Sequence, residues 1–198
     1  MLFLAATVAL GLLNVQLHPS GMLELRLARQ EKLNALSPEL LDLLREQAAR
    51  AKVDAQVRGL MLTAEPGRAF CAGGDIKGVQ ALPLEEGRQF LAHEYELMLN
   101  LFELNQRMPV VALADGLVLG AGAGLFMAAG ARVASVEQTS FAMPETALGI
   151  VPDCGGTDFL MSWPGQLGRW ASLTGSRITA PMMAAKPPRA GPPRPTKA

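Results

Sequence analysis

Phe70-Cys71-Ala72-Gly73-Gly74-Asp75 and, further along, Gly120-Ala121-Gly122-Ala123-Gly124 are two short runs rich in glycine and alanine. In each, an apolar strand pattern runs into small residues and a helical pattern follows. Small side chains let another backbone or a ligand come close, and amides at a helix start point at developing negative charge. Two such turns facing each other would supply the two N–H donors of an oxyanion hole at a thioester carbonyl. The same residues also suit close packing of helices on strands, and both readings stand on the residues alone.

Outward from these turns the chain alternates strands and helices. Leu13, Val15 and Leu17 alternate with polar residues, as do Leu23, Leu25 and Leu27 after the turn His18-Pro19-Ser20-Gly21, which predicts a hairpin. Ser37-Pro38-Glu39 opens a helix running to about Lys52, with Ser37 as N-cap and Leu36 and Leu41 placed as a hydrophobic staple. A strand over Val57–Thr63, a loop over Pro66–Gly74 and a cap at Asp75 follow. Glu85 to Arg107 reads as a long amphipathic helix with Phe90, Tyr95, Leu97, Leu101 and Leu104 on its buried side, stopped by Pro109. Next come a strand over Val110–Leu113, a helical run over Gly124–Ala129, and strands near Arg132–Val136 and Phe141. This strand–strand–helix repetition predicts an α/β protein without the long βαβ spacing of a nucleotide-binding sheet.

The chain of 198 residues is long enough for one sizeable core, expected over residues 1–180. Hydrophobic residues make up 49% and charged residues 18%, a balance suited to a domain that also buries area against other subunits. The formal net charge is zero, which gives no footprint for nucleic acid. Met1 to Leu13 is apolar and has no Lys or Arg, so it lacks a signal-peptide n-region and an Arg-rich transit pattern. It is also shorter than the roughly 18 residues needed to span a bilayer. A buried strand is expected there, with an uncleaved targeting segment as the alternative. Cys71 and Cys154 have no CxxC or His spacing, so neither a disulfide framework nor a metal site is expected, and both are read as packing residues. From 181 to 198 the chain is Pro-rich and basic, with Lys186, Arg189, Arg194 and Lys197, and is expected to be disordered; a phosphate-binding tail is the sharper alternative.

Two acids stand out. Glu145 and Asp153 each follow a proline, in the glycine-rich, apolar stretches Phe141–Thr146 and Gly149–Gly156. Desolvation there raises a carboxylate's pKa and makes it a useful base or acid, whereas the structural alternative makes each a helix or turn cap.

The segments Ala69–Ile76 and Ala114–Gly124 resemble the two signatures of the crotonase superfamily, and Lys32–Leu36 resembles its early Asn-Ala-Leu stretch. The likeness covers roughly Gly21 to Ala180 and implies a crotonase-like spiral of repeated strand–strand–helix units. It also implies an oxyanion hole from the amides of Ala72 and Ala121, with Gly73 and Gly74 beside the substrate. Hydratases of the superfamily carry one acid matching Glu145 and a second matching position 124, which is glycine here. Glu145 with Asp153, Gly124 and the pair Glu94-Tyr95 resembles the 3-hydroxyisobutyryl-CoA hydrolase branch, which acts in valine breakdown. That resemblance implies thioester hydrolysis, with Glu145 as nucleophile or as base for water and Asp153 assisting at the substrate hydroxyl. Glu94 would contact substrate; its other reading is a solvated helix face. The substrate would be an acyl-CoA ester, with no separate cofactor because coenzyme A is part of it. A mitochondrial location and a homo-oligomer are implied as well, although no transit peptide is visible; without one the location is cytoplasmic. An enoyl-CoA hydratase or isomerase is the first alternative. The second is a shortened, non-catalytic form that binds a partner subunit, since superfamily members continue into a C-terminal helical region that the Pro-rich tail replaces.

Overall fold

Alternating leucines make the first ribbon. The computed structural model describes residues 7–184, and in it β1 (Thr7–Ala9), β2 (Leu13–Leu17) and β3 (Met22–Leu27) form an antiparallel ladder. Leu13, Leu23, Leu25 and Leu27 are buried, as the alternation predicts. The buried strand expected over Met1–Leu13 is corrected. β1 is a sheet edge with Val8 52% exposed, the chain bends at Gly11, and β2 starts afresh at Leu13. An edge strand has a neighbour on one side only, so apolar composition there does not bring burial. Residues 1–6 lie outside the described residues.

The next helix, α1 (Pro38–Val53), begins where the capping signals put it. Ser37 Oγ accepts the Leu40 amide at 3.3 Å, and Leu36 and Leu41 are both buried. Ser37→Ala is expected to lower stability by about 1 kcal/mol in urea denaturation, because one amide of the first turn loses its partner.

Then β4 (Gly59–Ala64), β5 (Ala69–Cys71), α2 (Ile76–Gln80) and α3 (Leu84–Asn105) follow in order. β5 lies inside the stretch expected to be loop, because three residues are too few to show a period while Phe70 and Cys71 are fully buried against β7 (Leu117–Leu119). Between them β6 (Val110–Ala114) joins the first sheet, and after β7 comes α4 (Ala121–Met127), three residues earlier than the helical run expected from Gly124. β8 (Ala131–Ala134), β9 (Ser140–Ala142), α5 (Gly156–Phe159), α6 (Leu167–Thr174), β10 (Ile178–Thr179) and α7 (Ala180–Ala184) follow within the described residues. α7 runs across the boundary expected at Ala180, and the basic tail from 185 onward lies outside the described residues.

Two sheets result, ordered β1-β2-β3-β4-β6-β8 and β10-β9-β7-β5. Each turn of the spiral lays one parallel strand on the large sheet (β4, β6, β8), one on the small sheet (β5, β7, β9), and then a helix. α1 and α3 cover one face of the large sheet through Leu44, Ala48, Leu97, Leu101 and Leu104. On the opposite face the buried Glu24 is satisfied by His18, Arg26 and Thr63, which makes it a structural ion pair. Phe141 packs edge to face with both Phe159 and Trp163, its ring centroid 5.1 Å from that of Trp163, and the three rings pin the later turns against the small sheet.

Candidate active site

The two glycine turns meet at the ends of β5 and β7. Gly73 holds φ +96°, and a Cβ built on it would sit 2.9 Å from the Leu119 carbonyl oxygen and 3.4 Å from the Ala121 nitrogen. A Cβ on Gly122 would sit 2.3 Å from the carbonyl oxygen of Cys71. Both positions need glycine because another backbone occupies the side-chain space. The packing reading of these turns therefore holds, and it is what brings them face to face.

Buried Asn34 holds the first turn from behind. Its backbone is left-handed at φ 53°, and its side-chain amide donates to the carbonyls of Ala69 and Phe70, both at 3.0 Å. Leu36 N donates to Gly73 O at 2.8 Å, so the Asn-Ala-Leu stretch is the scaffold of the turn. One expectation is corrected here: the Ala72 amide donates to Leu33 O at 3.0 Å and is not open to a ligand. Among the described residues, the amides of Gly74 and Ala121 have no acceptor. These two are the candidate oxyanion donors.

Three carboxylates surround the turns. Glu145 sits in a 3-10 turn (Pro144–Leu148) just after β9, and its Oε1 lies 3.0 Å from the position a Cβ on Gly120 would take. Glu94 comes from the middle of α3; its Oε1 lies 3.1 Å from the corresponding position on Gly74. Glu94 is only 3% exposed, while its neighbour Tyr95 is 45% exposed. The buried side of α3 is the expected one at Phe90, Leu97, Leu101 and Leu104, and the exception is Tyr95: the acid beside it faces the core and the aromatic faces out. Asp153 is half-buried and accepts the Tyr95 hydroxyl at 2.8 Å through Oδ2. It is not the N-cap of α5, a position taken by Gly155.

Electrostatics couples the three acids. Burial, with the nearby Asp153 and Glu145 charges, pushes Glu94 up to about 8. Burial and the Asp153 charge push Glu145 up to about 7, against the pull of a backbone hydrogen bond. Glu94 Oε1 and Glu145 Oε2 are buried and have no hydrogen-bond partner among the described residues. Two acids poised near neutrality beside unengaged amides form the arrangement used for proton transfer or nucleophilic attack at a carbonyl.

A group whose acid pKa rises on folding binds its proton more tightly in the native state. Its contribution to stability therefore falls as pH climbs from the unfolded to the folded value. For Glu94 that window runs from the ordinary 4.5 to about 8. Glu94→Gln is expected to be more stable than wild type at pH 8 and to lose the advantage near pH 4.5, measured by urea denaturation at both.

Position 124 lies in α4, and a Cβ there would fall 2.6 Å from Cys154 Cβ and 2.7 Å from Cys154 O. No side chain, acidic or otherwise, fits while Cys154 holds its place. Cys154 itself has a left-handed backbone, φ 47°, and burial raises its thiol pKa. Cys71 is pushed up to about 12 by burial and donates to Asn34 O, so both cysteines are inert packing groups.

An apolar cavity of about 580 Å³ opens beside Asp153, lined by Met98, Leu99, Phe102, Met127 and Phe159 with Tyr95 at its rim. Sequence reasoning missed the Tyr95–Asp153 bond, the scaffold role of Asn34 and the Gly124–Cys154 contact. Asn34 had a signal, since asparagine is enriched in left-handed turns; the other two pairs are too far apart in sequence to leave one.

The enoyl-CoA hydratase/isomerase family pattern matches residues 22–186. The chain is 41% identical over 155 residues to the mitochondrial 3-hydroxyisobutyryl-CoA hydrolase of Xenopus tropicalis, covering 77% of this chain and 40% of that one. It is 38% identical over 164 residues to 3-hydroxyisobutyryl-CoA hydrolase 1 of Arabidopsis thaliana, covering 81% of this chain and 43% of that one. The chain thus spans less than half the length of the curated relatives it matches. Among solved structures, an enoyl-CoA hydratase from Mycobacterium smegmatis superposes with a TM-score of 0.78 at 29% identity, covering 86% of this chain and 65% of that one.

Proposed function

The chain belongs to the enoyl-CoA hydratase/isomerase family, and on that premise we propose that it hydrolyses an acyl-CoA thioester, with 3-hydroxyisobutyryl-CoA as its substrate. The observation that carries the reading is the acid pair. Glu145 and Asp153 stand at the cleft, while the position where hydratases of the superfamily hold their second acid is Gly124, filled by Cys154. A hydratase needs both of its acids to add water across a double bond, and hydrolysis needs one base or nucleophile beside an oxyanion hole. The names of the relatives agree with this choice.

In the proposed reaction the thioester oxygen lies between the N–H groups of Gly74 and Ala121, which stabilise its charge as the tetrahedral intermediate forms. Glu145 carboxylate either attacks the carbonyl carbon, or takes a proton from a water that attacks it. In both routes the carbon–sulfur bond breaks, and coenzyme A leaves as thiol with a proton. Water supplies the oxygen and protons of the products, so no cofactor enters the balance. Asp153 accepts the hydroxyl of the acyl group, and Glu94, protonated near neutrality, faces the Gly74 turn. The location follows the relatives named as mitochondrial. A homo-oligomer would use apolar side chains that α3 leaves exposed away from the cavity, Leu84 and Leu91 among them. Among the described residues no helix is long and apolar enough to cross a membrane.

Thiol release from a panel of acyl-CoA esters, run beside the loss of conjugated absorbance of crotonyl-CoA, tests the proposal. The expected result is hydrolysis of 3-hydroxyisobutyryl-CoA and no hydration of crotonyl-CoA. Hydration without thiol release would overturn it.

A further inference from the structure

Tyr95 is the chain's single tyrosine, and the proposed chemistry leaves it without a task. It follows Glu94 on α3, and successive residues diverge by about 100° around a helix. Glu94 therefore enters the core while Tyr95 reaches over the rim of the apolar cavity to Asp153, 2.8 Å from hydroxyl to Oδ2. Asp153 rides on a segment of unusual backbone: Pro152 precedes it, Cys154 follows at φ 47°, and Gly155 at φ 86°. Cys154 anchors that segment to Gly124 through backbone packing, and its thiol, a weak donor beside a phenol, also hydrogen-bonds the Asp153 side chain. Among the described residues, the bond from Tyr95 ties the carboxylate to α3. The surrounding cavity is walled mainly by Met98, Leu99, Phe102, Met127 and Phe159, with Thr157 and Asp158 as its other polar side chains, so the Tyr95–Asp153 pair is a hydrogen-bonded polar spot in a largely apolar lining. Such a spot reads a single hydroxyl on an otherwise apolar acyl chain.

We propose that Tyr95 is a positioning residue for hydroxyl recognition: by engaging Oδ2 it fixes Asp153 so that Oδ1 is presented to the hydroxyl of the acyl group. The inference rests on the thioesterase reading and deepens it, because it assigns the choice between a hydroxylated acyl group and its deoxy analogue to one hydrogen bond. The other ionisable groups close to this pair are Glu94 on α3, Glu145 on the turn after β9, Cys154 next to Asp153, and Asp158 on α5 lining the same cavity. Burial and the hydrogen bond donated to Asp153 both raise the Tyr95 phenol above its ordinary range, in keeping with a hydroxyl that stays protonated.

Two measurements test it. Tyr95→Phe removes one oxygen from a half-exposed ring. Hydrogen bonds to charged groups contribute roughly 1.5–3 kcal/mol, so kcat/KM for 3-hydroxyisobutyryl-CoA should fall by about 10- to 100-fold more than kcat/KM for isobutyryl-CoA. An equal fall for both esters, or no fall, overturns the proposal; wild type that hydrolyses neither ester overturns the thioesterase reading instead. The second measurement needs no turnover. Incorporated 3-fluorotyrosine labels one site, and its fluorine resonance follows phenol ionisation in milder alkali, because fluorine lowers the phenol's own pKa. Ionisation is expected at higher pH in wild type than in Asp153→Asn. Coincident titrations would show that Tyr95 and Asp153 are not bonded in solution, which also overturns the proposal.

Discussion

Replacing Glu145 with glutamine is expected to cut thiol release from 3-hydroxyisobutyryl-CoA by about 10²- to 10⁴-fold, while binding of the ester changes little. Glutamine keeps the shape of the side chain between Gly120 and the cleft, but it neither attacks a carbonyl nor takes a proton from water. Wild-type turnover should rise as pH passes through about 7, where Glu145 loses its proton, and the variant should lack this limb. Comparable turnover by both proteins would remove Glu145 from the reaction. Quenching the working wild type with hydroxylamine separates the two routes. An anhydride on Glu145 would be trapped as a hydroxamate and found by peptide mass, whereas a base leaves the side chain unmodified.

Gly122→Ala should produce the other large effect, because it strikes fold and site together. The added methyl would sit 2.3 Å from the Cys71 carbonyl oxygen, a backbone atom of a buried strand that cannot swing aside. Overpacking of this kind costs about 1–3 kcal/mol, to be read from denaturant midpoints. Relief requires α4 to move away from β5, which separates the Ala121 amide from that of Gly74. A misplacement of about 1 Å at a reacting carbonyl costs on the order of 100-fold in rate. A variant as stable and as active as wild type would mean that the two turns do not meet as described. Gly149→Ala is the control, since nothing lies within 4 Å of its Cβ position, although its φ of +76° carries some strain of its own.

Much of this site was legible in the residues. The glycine turns announced themselves as small residues between strand and helix patterns, and Glu145 as an acid in an apolar stretch. Local signals of this sort reflect conformational rules that act over a few residues: a cap at Ser37, alternation in β2 and β3. α3 marks where they fail. Apolar periodicity places Tyr95 inward and leaves Glu94 ambiguous, yet burial follows what α3 packs against, and the Gly73–Gly74 turn makes room for a carboxyl. The Ala72 amide fails for a similar reason, because its acceptor, Leu33 O, comes from a segment far back in the chain.

The repeated strand–strand–helix order, the two glycine turns and the choice of Glu145 and Asp153 as candidate acids can all be read from residue pattern. Long-range packing settles which amides stay open, that buried Glu94 joins Glu145 and half-buried Asp153, that Cys154 closes position 124, and that Tyr95 bonds Asp153. The physical reason is range. Backbone preferences and side-chain periodicity act between near neighbours, whereas desolvation, carboxylate coupling and steric exclusion depend on groups that meet only when the spiral brings α3, α4 and the Asp153 segment together.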